Sequence, residues 1–314
     1  ALILAQLFGV FDQLYIVFAN DWADIETDRH NNTYNIFSGG SRVLVDGMLS
    51  RRELGGAAVL MTVLALATGA GLWLLQGSAV ALALMALGIL LLWAYSFPPF
   101  RLNYRGAGEL LQTLGVGGVL PLVGFTAQGG SLAAFPWAVL AMTLPVSLAC
   151  AVTTSLPDEP SDRSADKRTA SVLLGVSGAQ VTAYVLFLVG LAAWLLLRPL
   201  GSGLLLHLVP VLLPALLLLL GFTKYGAAPG SKPLTGLVTA LVAANVFLFL
   251  GVSLMAGRFP HVQDEISTML WSKGGLWASP VRDANGTLKA FKITEEDKKL
   301  LTWAFEEYKK LMPF

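Results

Sequence analysis

The sequence predicts an all-α fold: a polytopic transmembrane helix bundle with eight visible spans and a small extramembrane C-terminal tail. Two observations predict it. Hydrophobic residues fill 55% of the 314 positions and charged residues only 13%, too few to clothe a water-soluble domain of this size. The charges are also segregated, with none from Leu54 to Phe100 and none from Leu110 to Pro157. Each gap is long enough for two spans of roughly 20 residues joined by a turn. The spans are helices because open sheet edges leave backbone groups unpaired in hydrocarbon.

In order, the apolar spans fall at about 2–20, 55–75, 79–97, 109–127, 134–156, 171–197, 203–222 and 234–256. Gln76-Gly77-Ser78 and Gln128-Gly129-Gly130-Ser131 mark turns within the charge-free runs. Arg29, Arg42, Arg51, Arg52, Arg101, Arg105, Arg163, Lys167, Arg168, Lys224 and Lys232 fall in alternate loops on one side, and Arg198 in a short loop on the other. The positive-inside rule makes the first side cytoplasmic. The expected location is therefore an integral protein of a cytoplasmic (inner) membrane, with residues 258–314 on the outer side.

That tail is different material from the bundle, residues 1–257. It carries nine of the 21 Lys and Arg residues and eight of the 20 Asp and Glu residues. Near 294–312 the sequence predicts an amphipathic helix, with Thr294 and Asp297 as a capping box and Leu300, Leu301, Ala304, Phe305, Tyr308 and Leu311 as its apolar stripe. Such a helix binds a protein partner, lies in the membrane interface, or packs as an appendage, and the pattern leaves these open. Asn285-Gly286-Thr287 matches a glycosylation acceptor and equally a turn.

Composition also excludes some functions. A net charge of +1 indicates no nucleic-acid partner. Cys150 is the single cysteine, so no internal disulfide and no thiolate metal site exists, and His30, His207 and His261 show no ligand spacing.

The chemistry lies in two acidic clusters. In NDWADIETD, residues 20–28, Asp21, Asp24 and Asp28 are spaced i, i+3, i+7, which places them on one face of a helix continuing out of the first span. In LPDEPSDRSADKRT, Asp158, Asp162 and Asp166 are spaced i, i+4, i+8, again on one helical face, with Lys167 and Arg168 beside them. Both clusters sit at the cytoplasmic ends of their spans and can face each other across a bundle. Carboxylates gathered in this way repel one another unless a cation sits among them. An oxygen-only ligand set suits Mg2+, which is usually completed by water and substrate phosphates. Arg42, Lys167 and Arg168 would hold the remaining phosphate charge.

These motifs resemble those of the UbiA superfamily of intramembrane prenyltransferases. NDWADIETD is similar to its first aspartate-rich motif, NxxxDxxxD, and DEPSDRSADKRT to its second, DxxxDxxxGKRT. The resemblance runs from about residue 1 to 256 and includes FSGGSRVLVDGMLS at 37–50 and YSFPPFRLNYRGAGEL at 95–110. It implies a nine-helix fold, hence a helix preceding Ala1. It implies that Asp24, Asp28, Asp158 and Asp162 bind magnesium diphosphate, supported by Asn20 and Asp21. Asp166 stands where the family usually has Gly, so a third metal-facing carboxylate there is an inference from spacing. Asn103 stands where the family often has Lys, and Arg101 or Arg105 would substitute for that phosphate contact.

The activity so implied is Mg2+-dependent transfer of an isoprenyl chain from an isoprenyl diphosphate to an aromatic acceptor. Tyr95, Phe97, Trp22 and Tyr34 are candidates to shield the allylic cation, although interfacial anchoring accounts for each as well. Asp12 is the one carboxylate within an apolar span, expected either to accept a proton or to rest as a neutral acid bonded to a neighbour such as Gln13. SGGSRVLVDGMLS and LPDEPSDR look most like the menaquinone-pathway branch, whose acceptor is dihydroxynaphthoate. Homogentisate, hydroxybenzoate, chlorophyllide, haem and glycerol phosphate ethers are the acceptors of other branches. A cation-coupled transporter and a non-catalytic scaffold are competing readings. The clustering of acids at one face, rather than at the midplane, weighs against transport.

Overall fold

The computed structural model describes residues 1–199, 204–272, 279–282 and 288–292. The chain divides into two compact units, Ala1–Leu250 and Gly251–Phe314. The first is built from α1 (Leu2–Arg29), α2 (Arg51–Gln76), α3 (Val80–Ser96), α4 (Gly108–Thr113), α5 (Leu120–Ala127), α6 (Leu140–Ser155), α7 (Glu159–Ser164), α8 (Ala170–Leu197) and α9 (Leu204–Phe222). The last helix, α10 (Lys232–Ser272), begins in this unit and runs well past the expected end of its span near residue 256. A π-helical turn, Leu114–Val119, joins α4 to α5 into one span. Among the described residues six helices are long and apolar enough to cross a membrane; Val80–Ser96 and His207–Phe222 are apolar but shorter.

In the second unit β1 (Ser279–Arg282) pairs antiparallel with β2 (Leu288–Lys292), Ser279 opposite Lys292 and Val281 opposite Ala290, with an irregularity after Val281. These strands carry little local signal: SPVR and LKAFK are short and hold one β-branched residue between them. The amphipathic helix expected near 294–312 and the Asn285-Gly286-Thr287 acceptor lie outside the described residues.

Local chemistry sets the helix ends. Ser50 caps α2 through a reciprocal box: its hydroxyl accepts the Glu53 N–H, and the Glu53 carboxylate accepts the Ser50 N–H at 2.8 Å. Gly77 ends the helix in the left-handed conformation, φ 68°. Gly175, φ 70° and ψ 162°, breaks the helical path inside α8 one turn after it starts.

Side-chain size governs the packing. Phe8, Tyr15 and Ala19 of α1 meet Ala58, Ala65 and Leu72 of α2, Ala81, Met85 and Ile89 of α3, and Val119, Val123 and Ala127. Small residues let the helices approach where lipid supplies no hydrophobic drive between them. A Cβ at Gly117 would lie 2.8 Å from the Thr143 carbonyl oxygen, so the π-helical turn and α6 touch there through backbone. The buried Gln180 amide is held at both ends: it donates to the Ala227 carbonyl at 3.1 Å and accepts from the Gly226 N–H at 2.8 Å. The outer faces are apolar, with Leu74 at 83% and Leu196 at 76% exposure, as a lipid-facing surface requires. Polar side chains collect at one end instead.

Candidate functional site

Helix α1 does not stop where its apolar run stops. It continues to Arg29 and carries Asp21, Asp24 and Asp28 on its last turns. Asp21 and Asp24 are each buried to 5% exposure, and each is met by a partner distant in sequence. The Asp21 carboxylate accepts the Ser41 backbone N–H at 3.0 Å and the Ser41 hydroxyl. The Asp24 carboxylate accepts Lys167 Nζ at 2.8 Å and the Tyr104 hydroxyl at 3.3 Å. Tyr104 also lies 3.0 Å from the Thr27 hydroxyl. Asn20 faces α3, its side-chain oxygen accepting from Ser96 at 3.5 Å.

The segment Ser38-Gly39-Gly40-Ser41-Arg42 folds over this face. Gly40 has φ 63°, and a Cβ there would lie 2.6 Å from Asp28 Oδ2 and 2.7 Å from Asp21 Oδ1. Only glycine lets the backbone approach both carboxylates. Arg42 follows, its guanidinium 4.2 Å from the Tyr34 ring centroid and 3.4 Å from the Asp46 carboxylate, and it donates to the Asp28 carbonyl at 3.4 Å.

The second cluster is shorter than its spacing predicts. Asp158 holds the N-cap position of α7 without a side-chain capping bond, Asp162 lies within the helix, and the helix ends at Ser164. Asp166 adopts a left-handed conformation, φ 55°, and is exposed. The expectation of three carboxylates on one helical face therefore fails at Asp166: the chain turns there, which brings the next residue inward. Lys167 is buried, 2.8 Å from Asp24 and 3.7 Å from Asp162. The end of α1 is latched to this turn by Asn31, whose amide donates to Asp158 Oδ1 at 2.6 Å, and by Thr33, whose hydroxyl donates to the Pro157 carbonyl at 2.7 Å.

Charge imbalance marks the place. Burial pushes Asp158 up to about 7, with the Asp162 charge adding to it. Burial likewise raises Asp162 to about 6, opposed by Lys167. Burial alone would lower Lys167, but the carboxylates of Asp24 and Asp162 outweigh it and hold the ammonium charged. Among the described residues no three carboxylate, imidazole or thiol groups converge closely enough to enclose a metal ion. Lys167 stands between Asp24 and Asp162, and Asn31 occupies one oxygen of Asp158.

The other sequence candidates divide. Tyr95 lies within electrostatic reach of Asp24, Asp162 and Lys167. Trp22 is stacked beneath Arg51 at 4.0 Å and against Phe97 at 5.7 Å, and Tyr34 is 55% exposed beneath Arg42. Arg101 stacks on Tyr104 at 4.1 Å, Arg105 donates to the Pro99 carbonyl at 3.1 Å, and Arg168 is exposed. Asn103 is buried to 2% exposure, and neither atom of its amide has a hydrogen-bond partner.

Asn31, Ser41, Tyr104 and Glu109 also belong to the site, and no motif in the sequence singles them out. Glu109 accepts the Ala170 N–H at 2.6 Å at the start of α8 and adds to the field on Asp162. Its position between the two charge-free runs was the available signal.

The model of the UbiA prenyltransferase family matches residues 1–237. Among solved structures the chain is similar to the apo form of a UbiA homologue from Aeropyrum pernix K1: 22% identity, TM-score 0.62, covering 80% of this chain and 88% of that one. It is also similar to a UbiA homologue from Archaeoglobus fulgidus bound to DMAPP and Mg2+ (17% identity, TM-score 0.59) and to GPP and Mg2+ (17%, 0.57), each covering 80% of this chain and 87% of that one. No curated protein sequence matches.

Proposed function

The chain belongs to the UbiA prenyltransferase family and is an integral membrane protein, and from that premise we propose that it moves an isoprenyl group from an isoprenyl diphosphate to an aromatic acceptor within the bilayer, releasing diphosphate. The observation that carries this reading is the Lys167 ammonium held between Asp24 of α1 and Asp162 of α7, which joins the two acidic motifs at one end of the bundle.

The donor set fits Mg2+. Asp24 and Asp162 lie against the buried Lys167 ammonium, Asp28 and Asp158 feel its charge, and Asp21 adjoins Asp24, so the site is short of positive charge. Their oxygens form no complete cage, which matches an ion finished by water and substrate phosphates. Asp24, Asp28, Asp158 and Asp162 would hold it, and Asn20 and Asp21 would steady the α1 side. When bound, the ion neutralises charge on the diphosphate.

The remaining residues bind and orient. Lys167 offers a preorganised ammonium to the leaving oxygens, where charge builds in the transition state. Arg42 stands at the rim. Asn103, with its unpartnered amide, takes a phosphate oxygen; Arg101, stacked on Tyr104, and Arg105, bonded to the Pro99 carbonyl, keep guanidinium donors for the same diphosphate. Tyr95 is the aromatic face best placed to exclude water from an allylic cation.

The acceptor we propose is dihydroxynaphthoate, as in the menaquinone branch, because SGGSRVLVDGMLS and LPDEPSDR are similar to that branch. The site opens to the cytoplasm on the loop-charge argument. Residues 1–257 form the catalytic bundle, and 258–314 an extramembrane tail suited to a protein partner. The test is to incubate the detergent-solubilised protein with geranylgeranyl diphosphate and dihydroxynaphthoate, with and without Mg2+, comparing wild type with Asp24→Ala and Asp158→Ala. Mg2+-dependent prenylated product that both variants lose supports the reading. Diphosphate release without that product redirects the acceptor, and no release with any prenyl length sinks the transferase.

A further inference from the structure

Lys167 is fixed at its backbone and free at its end. Its N–H donates to the Asp162 carbonyl at 2.9 Å, just after the turn where Asp166 takes φ 55°. From there a flexible stem carries the ammonium to Asp24. Nζ donates to Asp24 Oδ2 at 2.8 Å, and the Tyr104 hydroxyl donates to Oδ1 at 3.3 Å. Both oxygens of Asp24 are therefore engaged before any ligand arrives. The neighbouring carboxylates are engaged in part: Asp158 Oδ1 accepts from Asn31, Asp21 Oδ2 accepts from Ser41, and Asp162 lies 3.7 Å from the same ammonium. A divalent cation and an ammonium sharing one buried carboxylate repel each other with little screening by water. Asp24 can thus satisfy one of them well, but not both.

We propose that Lys167 is the resident cation of this site: in the free protein its ammonium takes the place of divalent charge at Asp24 and Asp162, and it moves onto the diphosphate only when metal and diphosphate are present together. A metal alone would strand the ammonium, and a diphosphate alone would strand the two carboxylates; either leaves a buried charge uncompensated. The two together leave every charge paired. Each ligand therefore raises the affinity for the other, and by linkage the two factors are equal. The exchange rests on the transferase reading and adds to it a safeguard, since a stray cation or a stray phosphate compound meets a site that is already paired within itself.

Two titrations of the full-length detergent-solubilised protein test it, each with one ligand alone. The first follows Mn2+, a paramagnetic substitute for Mg2+, by loss of the free-ion electron paramagnetic resonance signal. Lys167→Gln, which keeps a donor for Asp24 but not the charge, is expected to bind Mn2+ about tenfold more tightly than wild type. Arg42→Gln, which removes a cation bonded to Asp46 rather than to Asp24, should change little. The second follows radiolabelled inorganic diphosphate by equilibrium dialysis in EDTA. Asp24→Asn, which releases the ammonium, is expected to bind it about tenfold more tightly. Asp28→Asn removes a carboxylate with no ion pair to Lys167 and should change little. Melting curves in the same buffers show which variants are folded, and Asp24→Asn carries the test should Lys167→Gln not fold. Binding by a folded variant that is unchanged, weaker, or no tighter than by its control overturns the exchange. Absence of Mg2+-dependent diphosphate release by wild type would sink the transferase reading instead, and the titrations would still decide the exchange.

Discussion

The ammonium of Lys167 lies 2.8 Å from the Asp24 carboxylate, with 9% and 6% of the two side chains exposed. Removing one partner of such a pair leaves a buried charge without compensation, a cost of about 3–5 kcal/mol. Lys167→Met is therefore expected to lower the melting temperature in detergent sharply. The double variant with Asp24→Asn should lose less than the two single losses added together. Strict additivity in this cycle would mean that the pair contributes no coupling.

Asp158 and Asp162 set a pH dependence. Their folded-state values, about 7 and about 6, lie above the ordinary value of 3.8. The folded state thus binds more protons than the unfolded one in between, and their contribution, complete below the ordinary value, is lost as pH rises through 6 and 7. Metal-free protein should melt at progressively lower temperature from about pH 4 to about pH 7. Mg2+ must displace those protons, so its apparent affinity should rise across the same window. Melting curves with Mg2+ and with EDTA would reveal it, and parallel, flat profiles would contradict the assignment.

Gly40→Ala should disable the site. The added methyl would sit 2.6 Å from Asp28 Oδ2, whereas Gly47, φ 69°, has nothing within 4 Å of the same position. Gly47→Ala then reports backbone strain alone, about 1 kcal/mol. Comparing diphosphate release by the two variants separates strain from collision; equal losses would remove the close approach as the cause.

Asn103→Leu is expected to move stability and function in opposite directions. It replaces an unpartnered buried amide by an apolar group of similar size, which is neutral or stabilising in the free protein. It should also raise the KM for prenyl diphosphate, since the amide's partner is proposed to be the substrate. A variant with lower melting temperature and unchanged KM would show instead that the amide serves the fold.

The spans and the acidic face of α1 were legible because hydropathy and helical spacing are local properties of the chain. The i, i+3, i+7 spacing of Asp21, Asp24 and Asp28 held because α1 remains helical to Arg29. The equal spacing of Asp158, Asp162 and Asp166 misled because α7 ends at Ser164, and spacing does not reveal that a helix lasts only six residues. Asn31, Ser41 and Tyr104 were illegible for another reason. Each acts through a partner between 20 and 127 positions away, a relationship that exists only once the chain has folded.

The latch between Asn31 and Asp158 has a consequence for biosynthesis. It joins residues 127 positions apart, so at ordinary translation speeds the first acidic motif leaves the ribosome on the order of ten seconds before its counterpart exists. Throughout that interval the nascent protein holds half a site, with the Asp24 carboxylate still without its Lys167 partner. Final closure belongs to late assembly, when α6 has entered the membrane and the turn that follows it has been made. Chains truncated before Pro157 would therefore insert their early helices yet never acquire the closed acidic pocket.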